Sequence, residues 1–217
     1  TEIGGGSGPV TGLLLAGGQS LRMWAAFSSG TGDKGLLDLS GKPMLGHVIE
    51  RLRPQVDAMV INANGDPGRF SAFGLPVVAD TIEGFAGPLA GILAGRRWSA
   101  ANAPEATHVV SVSTDAPFLP GDLVRRLRDG LAGHSRQIAL ARSNGELHPV
   151  IGMWPVALAD DLDAALTAGT RKVLAWTDRH GTIPVDFEPI VLKGRAVDPF
   201  FNANTPEELA EARALLS

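Results

Sequence analysis

Cysteine is absent from all 217 residues of the chain. Its absence excludes disulfide bonds, thiolate metal sites and cysteine nucleophiles. A chain that forms no disulfide needs nothing from an oxidising compartment. The composition therefore favours a cytoplasmic protein.

Long apolar runs and positive charge are also scarce. No apolar run approaches the ~18 residues that a membrane-spanning helix needs. The first eight residues, TEIGGGSG, have neither the charged nor the apolar region of a signal peptide. The net charge is −4, whereas nucleic-acid-binding proteins usually carry a basic surplus. We therefore expect neither a membrane nor a nucleic acid as a partner.

What the chain does have is enough apolar sequence to fold. Hydrophobic residues make up 44% and charged residues 19%, the balance of a globular protein rather than a disordered one. The length suits one α/β domain or two small ones. We expect residues 1–9 to be a disordered tail or an expression remnant, and residues 10–217 to form a single domain.

Strand and helix patterns alternate along the chain. Apolar runs predict strands over residues 10–15, 36–39, 58–61, 76–79 and 108–112, and a candidate pair of strands over 138–142 and 150–154. Helical spacing or capping signals predict helices over residues 43–53, 88–98, 123–131, 157–166, 171–176 and 205–216. This alternation predicts an α/β fold in three layers, with a doubly wound, mostly parallel sheet.

Polar residues and glycines follow the predicted strands at the points where each strand ends. Gly17, Asn62, Asp80 and Asp115 all occupy such positions. In open parallel sheets, ligands bind beyond the carboxyl ends of the strands. The sequence therefore predicts a ligand site at that edge.

The first strand runs into the turn Leu15-Ala16-Gly17-Gly18, and two cations, Arg22 and Lys34, follow it. Glycines let backbone N–H groups face the phosphates of a nucleotide, and the two cations would neutralise the negative charge of those phosphates. The alternative is a tight turn flanked by solvated surface charges.

Two common nucleotide-binding motifs do not fit this turn. A Walker A loop requires G-x-x-x-x-G-K-[ST], which Gly32-Asp33-Lys34-Gly35 does not supply. A dinucleotide fingerprint requires G-x-G-x-x-G, whereas the first strand is followed by Gly17-Gly18-Gln19-Ser20. The second mismatch argues against a dehydrogenase.

The arrangement L-A-G-G-x-S-x-R-M, followed by D-K-G, resembles the nucleotidyltransferases, and the later motifs narrow the resemblance. In order along the chain, these are N-A-N at 62–64, G-P-L-A-G at 87–91, T-D-A-P-F at 114–118, H-P-V at 148–150 and F-N-A-N-T-P-E-E-L at 201–209. Together they resemble the molybdenum cofactor guanylyltransferase family over residues 11–215. The related cytidylyl branch commonly has L-A-A-G at the first turn. One departure is Trp24, where the family usually has glycine, followed by a longer link over residues 24–32.

The resemblance implies a Rossmann-like nucleotidyltransferase fold and transfer of GMP from GTP to molybdopterin, with release of pyrophosphate. It implies Mg²⁺ held by Asp115, and partners among molybdenum cofactor biosynthesis or molybdoenzyme chaperone proteins. The implied catalytic residues are Arg22, Lys34 and Asp115. The implied GTP-binding residues are Leu15, Ala16, Gly17, Gly18, Lys34, Asn62, Asp80 and Asp115, and the implied acceptor-binding residues are Asn202 and Asn204.

Alternatives remain open at this point. Asp115 could form an Asx turn before Pro117, and the asparagines before the last helix could serve local turn chemistry. His148 could be a packed structural histidine. The rival functions are cytidylyl transfer, nucleotidyl transfer to a sugar phosphate, and non-catalytic GTP-dependent delivery of the cofactor.

Overall fold

The central sheet of the computed structural model is apolar on both faces because helices cover both sides. The structure describes residues 8–17, 33–84 and 87–217. In the first strand, β1 (Val10–Leu15), Val10 and Leu14 enter one core, whereas Leu13 enters the other. Successive side chains of a strand point to opposite faces, so a strand buried on both faces reads as a continuous apolar run.

Seven strands form this sheet in the order β3-β2-β1-β4-β6-β5-β7. Strand β6 runs antiparallel to both of its neighbours, and the other neighbouring strands are parallel. The predicted mostly parallel, doubly wound sheet is thus confirmed. A separate hairpin pairs β8 with β9. The strands after β1 are β2 (Ala58–Asn62), β3 (Val77–Val78), β4 (His108–Ser113), β5 (Ile138–Ser143), β6 (Glu146–Pro155), β7 (Thr182–Asp186), β8 (Ile190–Leu192) and β9 (Arg195–Val197).

Six α-helices are found in the described part of the chain: α1 (Met44–Leu52), α2 (Pro88–Asn102), α3 (Leu123–Leu131), α4 (Ala159–Thr167), α5 (Val173–His180) and α6 (Pro206–Leu216). Helices α1 and α3 cover one face of the sheet, and α2, α4 and α5 cover the other. Helix α6 packs in a third, smaller cluster. It begins with the predicted capping box, in which Thr205 and Glu208 each bind the other's backbone N–H. None of the helices in the described ranges has the length and apolarity to span a bilayer.

Three differences from the sequence prediction concern local structure. The strand predicted over residues 36–39 is wrong. The segment Lys34–Leu36 is a 3-10 turn, because the N–H of Leu37 bonds back to the Lys34 carbonyl rather than to a neighbouring strand. Strand β6 begins at Glu146, four residues earlier than predicted. Strands β7, β8 and β9 were not predicted, and β7 contains Pro184, which weakens a strand pattern.

Candidate nucleotide-binding and catalytic site

The carboxyl ends of three parallel strands meet at one edge of the sheet. Leu15 at the end of β1 is in register with Asn62 of β2 on one side and with Ser113 of β4 on the other. The N–H of Ala16 continues the ladder to the carbonyl of Asn62 at 2.9 Å. Because Asp115 follows Ser113 by two residues, Ala16, Gly17 and Asp115 lie at the same edge of the sheet.

Gly17 lies at this edge of the sheet and is not packed against other described residues. It is exposed, and a Cβ atom built on it would meet nothing within 4 Å among the described residues. The backbone there is therefore accessible to a ligand.

Lys34, Asp115 and Asn204 come together from three distant parts of the sequence. The Lys34 Nζ atom lies 2.7 Å from Asp115 Oδ2 and also donates to Asn204 Oδ1. The side chains of Lys34 and Asp115 are only 13% and 14% exposed. The N–H of Ala203 donates to the backbone carbonyl of Asp115 at 3.0 Å, which fixes the loop before α6 against the end of β4.

The 3-10 turn that carries Lys34 is held close to the end of β4. A Cβ atom on Gly35 would lie 3.0 Å from the Cβ of Thr114, so a larger residue would push the turn away. Gly35 is buried at this contact. The glycine of the D-K-G motif thus has a packing role that brings the lysine to the carboxylate.

Arg69 joins the lysine turn to the loop after β2, and the sequence analysis did not identify it. Its Nε atom lies 2.5 Å from Asp33 Oδ2, and its Nη2 atom donates to the carbonyl of Asn64 at 2.7 Å. The guanidinium carbon stands 4.6 Å from the centroid of the Phe70 ring. No local pattern pairs Arg69 with Asp33, which lies 36 residues earlier.

Asp80 is held by two asparagines. Nδ2 of Asn62 donates to Asp80 Oδ1 at 2.9 Å and to the Val78 carbonyl at 3.2 Å. Asn64 forms a reciprocal pair with Asp80: its Nδ2 donates to Oδ2 at 3.1 Å, and its Oδ1 accepts from the Asp80 N–H at 2.9 Å. The arrangement aligns the predicted nucleotide residues Asn62 and Asp80, and it adds Asn64 as a second positioning group.

Helix α2 points its N-terminus toward this edge, where the positive end of its dipole favours an anion. Gly87, with φ of +69°, precedes Pro88 at the first helical position. A Cβ atom on Gly91 would collide with Asn62 Oδ1 and lie 2.9 Å from a methyl group of Leu15. Only glycine lets α2 sit this close to the ends of β1 and β2.

The loop before α6 contains the two predicted acceptor residues. Oδ1 of Asn202 is sealed from solvent and has no hydrogen-bond partner in the described ranges. Asn204 contacts Lys34, and its N–H donates to Glu208 Oε2 at 2.6 Å. The structure therefore places Asn204 beside the Lys34–Asp115 pair, with Asn202 two residues earlier in the same loop.

Two predicted site residues, Gly18 and Arg22, lie outside the described residues, as do Trp24 and the link over 24–32. Over residues 8–17, 33–84 and 87–217, no three His, Asp or Glu side chains cluster as a metal cage.

Comparison with known proteins agrees with the motifs. Residues 12–182 match the model of the MobA-like NTP transferase domain. The molybdenum cofactor guanylyltransferase of Bradyrhizobium sp. (strain ORS 278) is 51% identical over 207 residues, which cover 95% of this chain and 92% of that protein.

Solved structures share the fold. Molybdopterin-guanine dinucleotide biosynthesis protein A from Archaeoglobus fulgidus superposes with a TM-score of 0.70, at 20% identity, over 95% of this chain and 98% of that one. The Rv0371C complex with manganese from Mycobacterium tuberculosis H37Rv gives a TM-score of 0.62, at 20% identity, with the same coverage. By its family model and its sequence relatives, the chain is a nucleotidyltransferase and belongs to the molybdenum cofactor guanylyltransferase family.

Proposed function

We propose that this protein transfers GMP from GTP to molybdopterin and releases pyrophosphate. The observation that carries the proposal is the meeting of Lys34 and Asp115 at the sheet edge where β1 runs into its glycine turn. A cation and a carboxylate there suit the triphosphate and its counter-ion. The relative from Bradyrhizobium, which covers nearly the whole chain, supports guanylyl transfer in particular.

The nucleotide would lie over the ends of β1 and β2. The accessible backbone at Gly17 provides an N–H group for a phosphate oxygen, and the N-terminus of α2 provides the positive end of a helix dipole. Asp80 has both carboxylate oxygens oriented by Asn62 and Asn64, and each oxygen retains a lone pair. Asp80 can therefore accept hydrogen bonds from guanine N–H groups or ribose hydroxyls.

The residues fit a divalent cation, which we propose to be Mg²⁺. In proteins Mg²⁺ is usually held by one or two carboxylates together with substrate phosphates and water, not by a cage of side chains. Asp115 gives one oxygen to Lys34, and its Oδ1 atom has no protein partner among the described residues. When bound, the cation would supply charge neutralisation at the phosphates.

In the reaction, an oxygen of the acceptor phosphate attacks the α-phosphorus of GTP. A P–O bond forms there, and the bridging P–O bond to the β-phosphate breaks, so pyrophosphate leaves with the electron pair. The acceptor phosphate is already ionised near neutral pH, and no general base is required. Lys34 stabilises the charge that builds up, and the rest of the site positions the reactants.

The acceptor side is proposed at the loop before α6. The buried, unpartnered Oδ1 of Asn202 would gain a donor from a bound molecule, which would offset the cost of its burial. Asn204 reaches Lys34 and so joins this loop to the catalytic pair. We further propose that the reaction occurs in the cytoplasm, with the product passed to proteins that load molybdoenzymes.

Pyrophosphate release tests the proposal. The protein is incubated with Mg²⁺, molybdopterin and either GTP or CTP, and pyrophosphate and the dinucleotide product are measured. Release with GTP and not with CTP is expected. Release of pyrophosphate with CTP would favour a cytidylyltransferase. Release with a sugar phosphate in place of molybdopterin would indicate a different class of acceptor. GTP binding without pyrophosphate release would indicate a non-catalytic carrier.

A further inference from the structure

A hydrogen-bonded cluster of Ser143, His148 and Asp198 lies beside the acceptor loop. Ser143 Oγ is 2.6 Å from His148 Nε2 and 2.9 Å from both carboxylate oxygens of Asp198. Asp198 also accepts from Asn144 Nδ2 at 3.0 Å and from the N–H of Phe200 at 2.8 Å. The His148 ring packs 4.9 Å from the Phe200 ring, between centroids. The cluster is therefore held from several directions.

The position of His148 places it at the catalytic edge. Ser111 of β4 pairs with Gly152 of β6, which pairs with Leu140 of β5, and His148 pairs with the next β5 residue, Ala141. His148 therefore lies about one residue beyond the level of Ser111, near the carboxyl end of β4 that leads to Asp115. A bulge in β6, where the pairing with β5 jumps from Gly152 to His148, turns the strand at this point. Bulges often redirect side chains next to active sites.

The strand order of the sheet shows which residues lie on each side of Asp115. The predicted nucleotide residues lie on β1, β2 and the segment after β3, on one side of β4. Strand β6, with His148, lies on the other side. The loop that starts at Asp198 runs on to Ala203, which binds the Asp115 carbonyl. His148 therefore faces the acceptor side of the site.

The hydrogen bonds determine which nitrogen of His148 carries its proton. Asp198 accepts from three donors, one of which is the Ser143 hydroxyl. A hydroxyl has a single proton, so the short contact between Ser143 Oγ and His148 Nε2 requires a proton on Nε2. In a neutral ring, Nδ1 then has a free lone pair, and burial lowers the pKa of His148, which favours the neutral ring. Nδ1 makes no hydrogen bond among the described residues and is not one of their sealed atoms.

We propose that His148 binds the acceptor substrate, its Nδ1 accepting a hydrogen bond from an N–H or O–H group of the acceptor's heterocycle. Ser143 and Asp198 are positioning residues, which fix the tautomer and the ring plane. The inference rests on the proposed transfer of GMP to molybdopterin and adds a specificity residue to it.

Two substitutions at His148 separate this role from a structural one. Gln places an amide near the position of Nε2 and can still contact Ser143, but it has no group near Nδ1. Asn places its amide near Nδ1 and does not reach Ser143. We expect H148Q to raise KM for molybdopterin about tenfold, the effect of one lost hydrogen bond, with KM for GTP within about twofold of wild type. We expect H148N to keep KM for molybdopterin near the wild-type value while lowering Tm.

A structural role predicts the same loss of Tm in H148N, but H148Q would then behave as wild type. The KM of H148Q for molybdopterin is therefore the measurement that distinguishes the two roles. His180 provides the matched control, because its Nε2 atom also makes a side-chain hydrogen bond, to Asp161 Oδ1 at 2.8 Å. His180 comes just before β7, and the first residue of β7 pairs with the first residue of β5. His180 therefore lies at the amino end of these strands, at the edge of the sheet opposite to Asp115. We expect H180Q to leave both KM values unchanged.

The outcomes also separate this inference from the proposed function. If wild-type protein releases no pyrophosphate with GTP and molybdopterin, the proposed function is wrong, and the role of His148 falls with it. If wild type is active and H148Q has an unchanged KM for molybdopterin, the function stands and only the role of His148 is refuted.

Discussion

Replacing Asp115 by Asn tests the charge of this carboxylate with little change of shape. Asn can still accept a hydrogen bond from Lys34 through its Oδ1 atom. The bond from the N–H of Ala203 goes to the backbone and does not depend on the side chain. The variant should therefore fold, and it should lose only the negative charge that we assign to cation binding.

The expected effect on GTP binding has opposite signs with and without a divalent cation. Without one, the carboxylate repels the triphosphate, so D115N should bind GTP more tightly. Two unit charges 4 Å apart interact by about 1 kcal/mol in water and about 4 kcal/mol at an effective dielectric constant of 20. Asp115 is 14% exposed and already paired with Lys34. We therefore expect about 1–2 kcal/mol, a factor of roughly 5–30 in Kd.

With Mg²⁺ the sign reverses, because the variant loses the ligand that joins the cation to the protein. We expect weaker GTP binding and a 100- to 1,000-fold lower rate of transfer, about the effect of removing one preorganised stabilising group. Calorimetric titration with GTP in EDTA and in Mg²⁺ measures the sign, and pyrophosphate release measures the rate. D160N, at a carboxylate whose side chain is 89% exposed, serves as the control. Equal weakening in EDTA and Mg²⁺, or near-normal turnover, would refute the assignment.

Three further predictions follow from the packing around the site. G91A should raise KM for GTP several-fold, because the added methyl group would collide with Asn62 Oδ1. Its cost to the free energy of unfolding, about 1–3 kcal/mol from overpacking, should be partly offset by the better helix propensity of Ala. An unchanged KM for GTP would contradict this prediction. R69A should lower the free energy of unfolding by about 1–3 kcal/mol in urea titrations, since it leaves the Asp33 carboxylate largely buried and unpaired, whereas R69K should lose less. Burial lowers the pKa of His148 below its unfolded value of about 6.5, so the contribution of His148 to the free energy of unfolding is complete above that pH and is lost as the pH falls through the folded pKa. H148Q should therefore make the free energy of unfolding less sensitive to acid. An identical pH profile for wild type and H148Q would show that another group is responsible.

Much of the architecture follows from local patterns. The strands β1, β2 and β4 were predicted within a residue or two, because strands buried on both faces read as apolar runs. The cap of α6 was predicted because the two residues of a capping box are three positions apart. The position of β6 between β4 and β5, in antiparallel orientation, was not predicted, because strand order depends on contacts between distant segments.

The candidate site divides in the same way. Its residues were found as motifs at strand ends, and the structure brings Leu15, Ala16, Gly17, Asn62 and Asp115 to one edge. Their roles toward GTP and molybdopterin stay predictions, as do those of Gly18 and Arg22 and the domain limits of 10–217. The supporting residues, such as Arg69, were missed, because their partners are fixed only by folding.

The sequence by itself determined the alternation of strands and helices, the glycines that follow β1 and the order of the motifs, because each of these depends on residues close together in the chain. Only the tertiary structure decided that Lys34 pairs with Asp115 and reaches Asn204, 81 and 170 positions away. It also decided that His148 lies on the other side of Asp115 from the predicted nucleotide residues. Contacts at such separations arise from the packing of whole elements, which no local pattern encodes.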